Sequence, residues 1–139
     1  MIAYFDTSAL IPLLVQEPGS ERASVLWNEA NRIAALRVVY AEGRAALAAA
    51  RRTRRITPSA LRSAVEGLDR LYEQMDIVEV SDAIVRRGGD LAETHSLRGY
   101  DAVHLAAAET LRGEDIVLVA GDGTLSRAAT ALGLAVART

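Results

Sequence analysis

Short apolar runs recur along this chain, each followed by a stretch of helical composition, and that alternation limits the fold more than any other feature. The runs are Ile2 to Phe5, Ile33 to Leu36, Ile77 to Val80 and Ile116 to Ala120, with Leu134 to Ala137 as a candidate fifth. Runs of this length read as buried strands, and strands separated by helices require crossover connections. The expected class is therefore α/β, with a mostly parallel central sheet of four to five strands flanked by helices. At 139 residues the chain is too short for two ordinary domains, so residues 1–139 are read as a single one.

Capping signals place the helices. Thr7 and Ser8 lead into a short helix over Ala9 to Val15, with Pro12 tolerated only in a first turn. Glu17 to Ser20 is a loop, and Ser20 is positioned to cap a helix from Glu21 to about Asn31. A helix over Val38 to Arg52 carries Glu42 near its start. Thr57-Pro58 supplies a capping residue followed by Pro at the first helical position, opening a helix that runs to about Gln74. Ser81 is positioned to cap another, to about Thr94, although Gly88-Gly89 weakens it. A helix from Tyr100 to Leu111 and a short one after Thr124 complete the pattern.

Composition removes several functional classes. There is no cysteine, hence no disulfide, thiolate metal site or cysteine nucleophile. The two histidines, His95 and His104, are too few for a His-rich zinc site, so any metal must be held mainly by carboxylates, which favour hard cations such as Mg2+ or Mn2+. Net charge is −2, so nucleic-acid contact must come from a local patch or through bound cations. All 16 basic residues are Arg, as GC-rich coding also produces. No apolar segment is long enough to span a bilayer, and the opening MIAYFDTSAL lacks a charged leader; the expectation is a cytoplasmic protein with no membrane partner.

Four acids far apart in sequence are placed to meet. Parallel sheets bind ligands beyond the carboxyl ends of their strands, near the point where strand order reverses. Asp6 follows the first strand and Asp122 comes two residues after the fourth. Glu42 and Asp101 lie near helix starts, Glu42 on the same strand-end side. Carboxylates brought so close repel, and a divalent cation resolves the conflict. Such a cation orients a water, lowers its pKa and offsets charge on a phosphate. Thr7 and Ser8 are candidates for positioning that water or a phosphate oxygen. Spacing leaves each acid a second reading: Asp6 as a helix cap, Glu42 as a solvated helix residue, Asp101 as a dipole-favoured neighbour of a helix start, Asp122 as a turn residue.

The wording of these segments is similar to the PIN-domain family, specifically the VapC-type toxins of bacterial toxin–antitoxin pairs. Tyr4-Phe5-Asp6-Thr7-Ser8-Ala9-Leu10 resembles its first motif, and Ala41-Glu42 with Ala45, Ala46 and Leu47 its second. Leu97 to Ala108, containing Asp101-Ala102-Val103-His104-Leu105, is the nearest match, and Val119 to Leu125 resembles the last motif. The Glu17-Pro18-Gly19-Ser20 loop also resembles one that many members carry. The resemblance implies metal ligation by Asp6, Glu42, Asp101 and Asp122, hydrolysis of RNA phosphodiesters, a homodimer, and inhibition by a cognate VapB-like antitoxin. Two departures stand out. Arg37 and Val38 occupy positions where many relatives have Ser or Thr, and Ala120 replaces a frequent Thr, changes that weaken support of the site or its metal affinity.

The remaining candidates carry less chemistry. Arg51, Arg52, Arg54 and Arg55 form the densest positive cluster, read either as a solvated helix end or as a contact for RNA phosphates or an acidic partner. His104 lies three residues after Asp101 on the same helix face and is read as a packed, hydrogen-bonded residue; Tyr100 is read as packing. Two rival functions remain. A phosphatase using Asp6 as nucleophile would want a second Asp where Ser8 stands, and a receiver-type domain would want a Lys that the chain lacks. A non-catalytic, degenerate PIN-like binding module is the other.

Overall fold

The computed structural model describes all of residues 1–139. Its strands are β1 (Ile2–Phe5), β2 (Arg32–Leu36), β3 (Asp76–Val78), β4 (Ile116–Ala120) and β5 (Ala135–Arg138). Its helices are α1 (Thr7–Leu10), α2 (Ser20–Glu29), α3 (Val39–Arg52), α4 (Pro58–Glu73), α5 (Asp82–His95), α6 (Gly99–Glu109) and α7 (Gly123–Ala131), with a 3-10 turn at Ile11–Leu13. All five strands join one sheet in the order β3-β2-β1-β4-β5, and every neighbouring pair is parallel.

Alternation within the strands builds two cores from one sheet. Ile2 and Tyr4 of β1 point with Ala34, Leu36, Leu118 and Ala120 into one layer, closed by α5, α6 and α7 through Leu91, Leu105 and Leu125. Ala3 and Phe5 point the other way with Ile33, Ala35 and Val119, onto Leu10, Leu26, Leu47 and Leu68 of α1 to α4. β1 is covered on both faces, which is why its sequence is continuously apolar rather than alternating with polar residues.

The chain runs outward from β1 to β3, then crosses back through α5 and α6 to place β4 against the other side of β1. Strand order thus reverses between β1 and β4, and the crevice beyond their carboxyl ends is where such sheets bind ligands.

Several local expectations hold and others need correction. Thr57 caps α4 by accepting from the Ala60 N–H at 3.0 Å, and Ser81 caps α5 by accepting from that of Ile84 at 3.2 Å. Ser20 is instead the first residue of α2, capped by Gly19; its hydroxyl accepts from the Glu17 N–H and donates to the Val15 carbonyl, closing the preceding loop. The helix expected over Ala9 to Val15 is two shorter pieces, because Pro12 sits in the first turn of the 3-10 segment. β3 ends at Val78, two residues early. Gly88 and Gly89 lie inside α5, and Gly88 has a reason to be there: a Cβ on it would lie 3.0 Å from Val103 Cγ2 and 3.3 Å from the Val103 Cα. The missing side chain lets α5 and α6 approach closely.

Candidate active site

Asp6 leaves β1 at the crevice with only 4% of its surface exposed. Its backbone is extended, and it is the N-cap of α1. Its Oδ2 accepts from the Ser8 amide at 3.1 Å and from the Ser8 hydroxyl at 2.6 Å. Ser8 Oγ in turn accepts from the Gly121 N–H at 2.9 Å. One hydroxyl therefore ties the Asp6 carboxylate to the loop after β4, which carries Asp122, and its only proton is committed to Asp6.

Asp122, in that loop, is the N-cap of α7, its Oδ1 accepting from the Thr124 N–H at 3.0 Å. Asp101 lies in the first turn of α6, where Arg98 Nε donates to its Oδ2 at 3.2 Å. Burial raises the Asp101 pKa; the Arg98 hydrogen bond opposes this, and the negative charges of Asp6 and Asp122 push it further up. Asp101 thus feels the charges of two acids remote from it in sequence.

Glu42, in the first turn of α3, is drawn to the same place by His104. The Nε2 of His104 is 2.7 Å from Glu42 Oε1, 3.6 Å from Asp6 Oδ1 and 3.5 Å from Thr7 Oγ1. Its Nδ1 is 3.0 Å from the Tyr4 hydroxyl. The ring is 1% exposed, and burial alone would favour its neutral form. The Glu42 hydrogen bond and the charges of Asp6, Glu42 and Asp101 outweigh that and raise its pKa. Tyr4 is held as a protonated phenol, its pKa raised by burial and by the charges of Asp6 and Glu42.

His104 is thus hydrogen-bonded and packed, as its sequence position suggested, but its partners are acids of the site. The sequence carried two signals for this: the three-residue step from Asp101 on one helix face, and the two-residue step from Tyr4 to Asp6 on one strand face. Tyr100 is 72% exposed rather than packed.

The donor set is chemically uniform. It consists of carboxylate oxygens around one histidine whose ring nitrogens are both engaged in hydrogen bonds, a set that suits a hard divalent cation. No three of these side chains already stand at ligand spacing around one point. Glu42 turns to His104, Asp101 to Arg98 and Asp122 to the start of α7.

Residues near the site in sequence are not all near it in space. Arg37 turns toward the β3 side, pairing with Glu79 and donating to the Tyr72 hydroxyl at 2.7 Å. Ala120 is fully buried at the end of β4. Arg51 and Arg52 lie in the last turn of α3, at the end opposite Glu42; Arg54 follows with a left-handed backbone (φ 61°), and Arg55 pairs with Glu17 at 2.7 Å.

The family model described as PIN domain matches residues 3–131. A relative from Mycobacterium tuberculosis (strain CDC 1551 / Oshkosh), Ribonuclease VapC45, is 39% identical over 136 residues, covering 98% of this chain and 94% of its own. Two solved structures share the fold. VapC20 of Mycobacterium tuberculosis, a Sarcin-Ricin loop cleaving toxin, superposes with a TM-score of 0.70 at 20% identity, over 99% of each chain. VapBC-5 from the same species, a member of the VapBC family of toxin–antitoxin systems, gives 0.65 at 18% identity, over 99% of this chain and 98% of that one.

Proposed function

We propose, from the premise that this chain belongs to the PIN-domain family, that it is a metal-dependent endoribonuclease and the toxin of a VapBC-type pair. The observation that carries the reading is the gathering of acids at the β1–β4 crevice: His104 Nε2 lies 2.7 Å from Glu42 Oε1 and 3.6 Å from Asp6 Oδ1, Ser8 ties Asp6 to the loop that carries Asp122, and Asp101 in the first turn of α6 feels the charges of Asp6 and Asp122. The 39% identity to a protein named as a ribonuclease, over nearly the whole chain, supports it.

Asp6, Asp101 and Asp122 would hold Mg2+ or Mn2+, with Glu42 direct or through water. Such a cation, when bound, lowers the pKa of an attacking water and offsets charge on the phosphate. The chain's own groups prepare the place. Ser8 fixes the rotation of the Asp6 carboxylate and keeps the β4 loop beside it. His104 holds Glu42 toward Asp6, and Tyr4 fixes the ring of His104 from beneath. Thr7, at 3.5 Å from His104, borders the same space.

The reading carries a VapB-like antitoxin as partner and a cytoplasmic place of action, where RNA substrate is found. No helix is long and apolar enough to cross a membrane. It also carries a homodimer. Val80, Val85 and Tyr100, three of the four exposed large apolar residues, surround one groove floored by Leu36 and Val38, a surface suited to burial against a second copy. Sedimentation of Val85→Asp against the unmodified protein tests that assembly.

The decisive experiment is cleavage of total RNA with added Mn2+ or Mg2+, using the unmodified protein, Asp6→Asn and Asp101→Asn. Discrete fragments from the unmodified protein alone, abolished by EDTA, are the expected result. Cleavage that persists in excess EDTA would overturn the mechanism. Failure to bind either cation at millimolar concentration would favour a degenerate binding module.

A further inference from the structure

Two arginines meet beside the acidic crevice without an acid between them. Arg127, on α7, brings Nη1 to 3.1 Å from the point a Cβ on Gly123 would occupy. Arg138, at the end of β5, brings both Nη1 and Nη2 to 3.5 Å from the same point. The hydrogen bonds of the pair are to neutral oxygens: Arg127 Nη2 to Thr124 Oγ1 at 3.3 Å, and Arg138 Nη2 to the Gly121 carbonyl at 3.3 Å. Gly121 and Gly123 flank Asp122, so the two cations sit over the loop that carries one of the four acids. With Ser126, Thr130 and Val136 they line an open concavity of about 390 Å³.

Elsewhere, arginines near acids are spent on them. Arg37 pairs with Glu79, Arg87 with Glu109, and Arg98 with Asp101. Two like charges converging over a glycine, without a carboxylate, are arranged for an external anion that takes guanidinium hydrogen bonds. The adjoining crevice is strongly acidic, and a polyanion entering it needs cations on the rim. The Arg51–Arg55 cluster stands too far off to serve beside the reacting bond: Arg51 is nine residues beyond Glu42 on α3, roughly 13 Å along the axis.

We infer that Arg127 and Arg138 form a binding site for a backbone phosphate of single-stranded RNA next to the bond cleaved at the Asp122 side of the crevice. The inference rests on the ribonuclease reading above. Contact through phosphate carries no base preference, so the pair contributes affinity and register rather than sequence choice.

The test separates binding from cleavage. A fluorescently labelled single-stranded RNA is titrated with full-length protein carrying Asp101→Asn, over a range of NaCl concentrations. Adding Arg127→Ala together with Arg138→Ala is expected to weaken binding about tenfold and to flatten the log Kd against log salt slope by about 0.7 for each phosphate no longer held. Arg→Lys at both positions keeps the charge and restores most of the slope but not all of the affinity. Arg22→Ala, at an exposed position on α2, leaves both unchanged. In the otherwise unmodified enzyme the double Ala variant raises KM more than it lowers kcat. Arg22, Arg127 and Arg138 are exposed and Asp101 is replaced conservatively, and circular dichroism of each variant checks that it folds. An unchanged slope in the double variant, or no RNA binding at all, would overturn the inference. A slope left unchanged by the double variant while inhibition by an acidic antitoxin segment is lost would assign the pair to that partner instead. Arginine-dependent RNA binding by a protein whose unmodified form cuts no RNA would leave this site standing and the nuclease reading fallen.

Discussion

Asp6 shows that a cap and a candidate metal ligand need not be alternatives. Its carboxylate accepts two hydrogen bonds from Ser8 while facing the crevice. Asn caps nearly as well as Asp, so Asp6→Asn is expected to change unfolding free energy by about 0.5 kcal/mol or less while abolishing cleavage. A chemical denaturation curve beside an RNA cleavage assay separates the two effects. His104 makes the opposite case. His104→Leu fills the space but strands the Tyr4 hydroxyl and leaves Glu42 without its partner, which should cost roughly 2 kcal/mol or more. Loss of cleavage in His104→Gln at near-normal stability would mark the ring as a positioning group for Glu42; full activity would mark it as packing only. That Asp6 and Asp122 reach the crevice was legible because both follow strands, whereas Glu42 and Asp101, in the first turns of helices, were singled out by the family resemblance rather than by spacing. The role of His104 was only hinted at by its three-residue step from Asp101, because its hydrogen-bond partners Tyr4 and Glu42 come from β1 and α3, remote in sequence.

At the scale of elements, α5 and α6 show where local propensity is overruled. A Gly-Gly pair reads as a weak helix, yet both glycines sit within α5 because Gly88 sits against Val103 of α6. The two positions should respond in opposite ways. A Cβ at Gly89 would meet nothing within 4 Å, so Gly89→Ala should stabilise the protein by up to about 1 kcal/mol through helix propensity. Gly88→Val should destabilise it by about 2 kcal/mol, because the obstacle includes α6 backbone that cannot turn aside. Thermal melts of the two variants check both signs. The same helix pair is linked by Arg87 and Glu109, at 2.7 Å. The hydrogen bond from Arg87 holds the Glu109 pKa below its usual value. A carboxylate depressed in the folded state contributes stability above its unfolded pKa and loses it as pH falls through the folded one. Glu109→Gln should therefore cost about 0.5 kcal/mol at pH 7, discounted because Arg87 is largely exposed, and nothing once acid has protonated the carboxylate. Helix starts marked by Thr57 and Ser81 were legible, since those side chains cap locally. Ser20 misleads because the groups it bonds belong to the loop behind it rather than to the helix ahead.

For the molecule as a whole, alternation of strands and helices announced a parallel sheet but not its order. Which strand lies beside β1 depends on two cores closing at once, and it is the pairing of β4 with β1 within the order β3-β2-β1-β4-β5 that puts Asp6 and Asp122 on adjacent strand ends. That order also concentrates negative charge at one rim, a cost the fold bears in the absence of a counter-ion. Relief of that repulsion should be measurable as stability. A cation that binds only the folded chain stabilises it by RT ln(1 + [L]/Kd), about 1.4 kcal/mol at ten times Kd. Millimolar Mg2+ or Mn2+ should raise the melting temperature relative to EDTA. Asp101→Asn should abolish most of that rise and, in EDTA, melt no lower than the unmodified protein, because it removes a charge that Asp6 and Asp122 repel. A calorimetric scan of both proteins, with and without the cation, decides the matter. Equal shifts in the two would mean that the cation binds elsewhere, and a much less stable Asp101→Asn in EDTA would mean that its pairing with Arg98 outweighs the repulsion across the crevice.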